Sequence, residues 1–172
     1  MDRLMRFLRR HHEGDEGFTL IELMVVVLII GILVAIAVPT FLGARNGAEN
    51  KAVESSLRNA LTTAKVYYTD NNAYGTQATM ISSFTAAEPS LVFSSALSTA
   101  PDSNTVEVLA ATGLTSPETG VCLIGESKTG NYFGILDTSG ASGTLYFPTS
   151  TSVPGGCTTA VFTASSAAAA GW

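Results

Sequence analysis

From Leu23 onward the chain runs for 22 positions without a charged side chain. That is about the length needed to cross the hydrocarbon core of a bilayer. Residues 23–37 mix strong helix formers with β-branched residues and are apolar on every side, as a lipid-facing or bundle-buried helix requires. Gly31 and Pro39 interrupt the run, and a proline there removes one helix hydrogen bond and crowds the carbonyl of Ala35. Past Pro39 the pattern turns amphipathic. Val53, Leu57, Leu61, Ala64 and Tyr68 recur at three- and four-residue spacing, which is one stripe of a helix. Glu49, Lys51, Glu54, Arg58 and Lys65 fall mainly off the stripe, with Glu54 and Arg58 spaced as a favourable ion pair. Asn71, Asn72 and Gly75 are stop signals, so the helix is expected to end near Asn71. A helix over 18–71 would be a rod about 80 Å long, at about 1.5 Å per residue.

The pattern changes again after Gly75. Residues 75–104 show no clear period and read as a loop with one short helix or strand. Four strand-like pieces follow at 105–110, 121–125, 132–137 and 144–148, separated by Gly/Ser/Thr clusters such as "ESKTGN" and "DTSGASG". The expected fold is therefore α+β. A long N-terminal helix, half membrane-spanning and half amphipathic, packs its stripe on a small antiparallel sheet.

Charge sharpens this division. The net charge is −5, yet residues 1–17 carry four arginines and four acids and contribute nothing to it. No Lys/Arg cluster occurs after residue 17, which argues against a broad nucleic-acid footprint. Arg9 and Arg10 precede the apolar run, so the positive-inside rule keeps the N-terminus cytoplasmic and sends Arg45 onward outside. The apolar run is too long for a secretory signal core, and no Ala-x-Ala site precedes a mature domain. A plain single-pass anchor would satisfy all of this. Two cysteines, Cys122 and Cys157, lie in the polar half. If that half is exported, one disulfide is expected, contributing on the order of 3–4 kcal/mol; the alternative is two buried thiols.

Catalytic candidates are few. His11 and His12 are the only histidines, and both precede the apolar run. Glu118, Glu126 and Asp137 are widely spaced, no calcium loop occurs, and the glycines form no phosphate-binding fingerprint. Neither a catalytic site nor a metal or cofactor is expected.

An anchor does not explain "GFTLIE". Gly17, Phe18, Thr19, Leu20, Ile21 and Glu22, followed at once by the apolar run, resemble the type IV pilin and pseudopilin family. The resemblance implies that a prepilin peptidase cuts between Gly17 and Phe18 and methylates the new amine of Phe18. It also implies that Glu22 is the family's glutamate within the apolar helix. Asp15 and Glu16 depart from the basic residues often found before that glycine. A carboxylate in hydrocarbon is costly and is usually functional when present. Within a packed filament, Glu22 is expected to pair with the Phe18 amine of a neighbouring subunit. A mispaired subunit would then bury an uncompensated charge, at roughly 3–5 kcal/mol. Gly31 and Pro39 would be the points where the helix bends or opens during assembly.

The implied organisation is a leader over 1–17, a membrane and filament-core helix over 18–44, the amphipathic half over 45–74, and a globular region over 75–172. The leading expectation is a subunit of an extracellular type IV pilus, held in the cytoplasmic membrane before assembly. The alternative is a pseudopilin of a type II secretion or DNA-uptake machine. By resemblance, pilins often carry a C-terminal disulfide and the major secretion pseudopilins often bind calcium, which leans towards the pilus. A membrane-anchored monomer, binding module or enzyme, would need no such cleavage motif. The partners implied are copies of itself, the peptidase, an inner-membrane platform protein and a cytoplasmic assembly ATPase.

Overall fold

The computed structural model describes residues 17–97, 101–111, 119–139 and 143–150. The elements run α1 (Leu20–Asn71), α2 (Gln77–Ala87), β1 (Val92–Ser94), β2 (Thr105–Ala110), β3 (Gly120–Glu126), β4 (Tyr132–Thr138) and β5 (Thr144–Ser150). The chain divides into two units between Gly43 and Ala44.

The first unit contains the start of α1, which is long and apolar enough to cross a membrane. Its large apolar side chains, from Leu20 to Leu42, are all exposed. Pro39 lies inside the helix and leaves the Ala35 carbonyl without its usual donor. The next residue, Thr40, donates its hydroxyl back to the Ile36 carbonyl at 2.6 Å.

In the second unit the amphipathic stripe does what its spacing predicts. Val53, Leu57, Leu61 and Ala64 are buried, and Ala60 joins them. They share one core with Met80 and Phe84 of α2 and with Val106, Val108, Leu123, Phe133 and Ile135 of the sheet. The helix lies very close to β3: a Cβ on Gly125 would stand 2.7 Å from Val53 Cγ1. Glu54 sits at the stripe's edge and is buried, and its carboxylate accepts from Lys51 Nζ at 2.6 Å. The helix ends at Asn71, and Asn72 adopts the left-handed conformation (φ 54°) that closes many helices.

The region after Gly75 holds both a helix and a strand. Thr76 caps α2, accepting from the Thr79 N–H, and Met80 and Phe84 form its buried side. An eleven-residue helix with only two core positions leaves too little periodicity to read. The sheet order is β1-β2-β3-β4-β5. Three pairings are antiparallel as expected, but β1 pairs with β2 in parallel, so the sheet is mixed. A three-residue strand carries no alternation from which its direction could be read. The strand expected over 105–110 is β2 itself, and the other three each run one or two residues longer than expected.

β3 and β4 are covered on both faces. Cys122, Ile124, Leu136 and Leu145 form a second cluster on the side away from α1. One polar hub ties four segments together. Asp137 on β4 is buried and accepts from the Tyr74 hydroxyl, in the α1–α2 link, and from the Thr144 hydroxyl on β5. Lys65 of α1 lies 3.7 Å away.

Candidate functional site

The start of α1 is built by a local rule. The Thr19 carbonyl accepts the first helical bond, from the Leu23 N–H at 3.3 Å, so Thr19 is the N-cap. The Thr19 hydroxyl accepts from the Glu22 N–H at 3.2 Å. In return Glu22 Oε2 accepts from the Thr19 N–H at 2.9 Å and from the Thr19 hydroxyl at 2.7 Å. This reciprocal arrangement is a capping box, and it satisfies N–H groups that a helix start otherwise leaves unpaired. Its signal, a threonine three residues before a glutamate ahead of an apolar run, is present in "TLIE". Reading Glu22 for its charge alone leaves this hydrogen-bonded pair out.

The capping box explains how the carboxylate is tolerated. Glu22 lies in the first turn, where the helix dipole favours negative charge, and one of its oxygens is already hydrogen-bonded. None of these bonds uses Oε1. Gly17 and Phe18 precede the helix, and both are exposed, Phe18 at 86%. Gly17, Phe18 and Glu22 are therefore brought together at one helix end, bordered by the exposed Leu20, Ile21, Leu23 and Met24.

The other expected residues lie apart from this end. Gly31 is inside α1, with open space where a Cβ would stand, and Pro39 is two turns further along. Cys122 is fully buried on β3, whereas Cys157 lies outside the described residues, as do His11 and His12. Among the described residues, no group of three His, Cys, Asp or Glu side chains converges to hold a metal ion.

The profile of the prokaryotic N-terminal methylation motif matches residues 14–38, the stretch that holds this site. The chain is 39% identical over 89 residues to the type IV wide pilus major component PilA4 of Thermus thermophilus, covering 51% of this chain and 68% of that protein. It is 38% identical over 65 residues to the type IV major pilin protein PilA of Myxococcus xanthus, covering 38% of this chain but only 30% of that one. It is also 36% identical over 64 residues to the type II secretion system core protein G of Klebsiella michiganensis, covering 37% and 45%. No solved structure matches the chain. These relatives are structural subunits rather than enzymes. The capped apolar helix, the methylation motif within it and the extended likeness to a pilus component together place this chain in the type IV pilin and pseudopilin family, as a pilin-type structural subunit.

Proposed function

We propose that the chain is cut between Gly17 and Phe18, methylated on the Phe18 amine, and polymerised through α1 into an extracellular type IV pilus. The observation that carries the pilus reading is the extent of the likeness. It spans 89 residues with the wide-pilus component, past the length of the N-terminal helix, whereas the likeness to the other pilin covers 65 and that to the secretion proteins 60 to 70. Before assembly the subunit waits in the cytoplasmic membrane with its C-terminal unit outside. The peptidase, an inner-membrane platform protein and an assembly ATPase are its partners, and the subunit's own role is architectural, not catalytic.

In this reading Glu22 serves twice. Within one subunit Oε2 holds the Thr19 cap, while Oε1 is left to accept from the Phe18 amine of a neighbour. Gly31 and Pro39 are the points at which α1 opens in the packed filament. Cys122 and Cys157 form a disulfide once the C-terminal unit is exported.

A pseudopilin is the second reading, favoured by the likeness to secretion core protein G. Shearing cells and imaging the released material distinguishes the two, with an intact mass taken under non-reducing conditions. Long filaments of a chain that begins at methylated Phe18 and lacks two hydrogens are the expected result. A processed chain found only in the membrane fraction supports the pseudopilin, and a chain retaining residues 1–17 refutes both.

A further inference from the structure

Residues 43–50 of α1 read "GARNGAEN", with Gly43, Asn46, Gly47 and Asn50 all poor helix formers. Among the described residues, nothing offsets that weakness at first. Residues 17–48 are all exposed, and a Cβ on Gly43 or Gly47 would meet nothing within 4 Å. At Asn50 this changes. Among the described residues, Asn50 is the first of α1 to bond outside the helix, and its partner is the turn between β3 and β4.

That turn is shaped for the contact. Gly130 takes a positive φ of 78°, and the Ser127 N–H donates to the Asn131 carbonyl at 2.8 Å, which closes the turn. Ser127 is fully buried, and its hydroxyl lies 2.6 Å from the Thr129 hydroxyl. Asn50 Oδ1 accepts from the Thr129 hydroxyl at 2.8 Å and from Asn131 Nδ2 at 3.4 Å. One turn of helix further on, Val53 meets β3 at Gly125, so the polar contact and the closest apolar approach are adjacent.

From this juxtaposition we propose that the β3–β4 turn is a clasp on α1, closed on Asn50, which sets the residue at which unwinding of the weak 43–49 segment stops. Opening that begins there, by thermal fluctuation or by a pull on the N-terminal half, halts before it reaches Val53 and the core stripe. The inference concerns the folded subunit and stands whether or not the chain builds a pilus.

Amide hydrogen exchange on the full chain in detergent micelles tests it. The expected wild-type profile has fast exchange over 44–53, because the N–H groups of 50–53 bond carbonyls within the weak segment, and a step to strong protection at 54. Thr129→Val keeps the side-chain shape but removes the hydroxyl, and it should speed exchange at 54–57 about tenfold. Leu123 and Ile135 should keep their rates, and Lys128→Ala, exposed on the same turn, should leave the step in place. Gly47→Ala fills open space and should slow 44–53 about fivefold without changing 54–57. The clasp is overturned by a profile without a step, by Thr129→Val having no effect or loosening β3 and β4 equally, or by Gly47→Ala slowing both stretches alike.

Discussion

Removing one hydroxyl from the Asp137 hub tests whether burial or charge decides its strength. Tyr74 is 6% exposed, and its ring packs on Tyr68 with centroids 5.1 Å apart, so Tyr74→Phe keeps the packing and loses only the bond to Asp137. A hydrogen bond to an ionised buried group is worth about 1.5–3 kcal/mol, and Asp137 would keep only Thr144 and a distant lysine. Lys65 carries the formal countercharge, but it stands 3.7 Å away and its side chain is half exposed. Ion pairs of that kind contribute about 0–1 kcal/mol. Urea unfolding of the full chain in micelles should therefore rank Tyr74→Phe near 2 kcal/mol, with the range above, and Lys65→Met well below it. Lys65→Met costing as much as Tyr74→Phe would refute the argument that burial dominates. The pH dependence gives a second check. Burial, then the bond to Asp137 and its charge, push the Tyr74 hydroxyl far above its ordinary value of 10.0. The folded state holds this proton more tightly than the unfolded one. The stability linked to it is thus complete below pH 10 and is lost as pH rises above that. Tyr74→Phe should remove that part of the alkaline loss.

Substitutions at four further positions probe other links. Gly125→Ala puts a methyl group 2.7 Å from Val53 Cγ1 and should cost about 1–3 kcal/mol in the same unfolding assay. Glu107 is held above its usual value of 4.5 by burial, so its charged form is penalised in the folded state. Glu107→Gln should raise the melting temperature at pH 7, and the gain should shrink as pH falls through the carboxylate range; a gain independent of pH would point to packing instead. Thr19→Val removes the cap and should cost about 1 kcal/mol at the first turn of α1, seen as lost helical shifts at Leu20–Leu23 by NMR, whereas Thr19→Ser should retain them. Glu22→Gln should be processed normally yet incorporate poorly beside wild type, and equal incorporation would remove the charge-pairing role.

Much of the fold was legible because strong periodic signals coincide with single elements. The stripe from Val53 to Ala64 and the stops at Asn71 and Asn72 gave the helix and its end, and the turn clusters delimited β2 to β5. α2 was not legible because Met80 and Phe84 are its only buried positions, and β1 because three residues cannot show a direction. The candidate site was visible as a motif, but its capping geometry was passed over although "TLIE" spells it. Neither the Asp137 hub nor the Asn50 clasp could be read in advance. Their members stand 63 and 79 residues apart in sequence, and no local pattern joins them.

Gly125 acquires a second meaning from the burial of β3 on both faces. Residues 121–124 are all at most 1% exposed, so a strand shifted by one place would still turn apolar side chains to both sides. Hydrophobic alternation, which normally pins a strand in place, therefore gives little instruction here. The missing side chain supplies it. Only Gly125 fits beneath Val53, and a slip in either direction would drive Ile124 or Glu126 into that contact. The fidelity of pairing in this sheet thus rests on an absent side chain, whose place Val53 and Leu57 already fill.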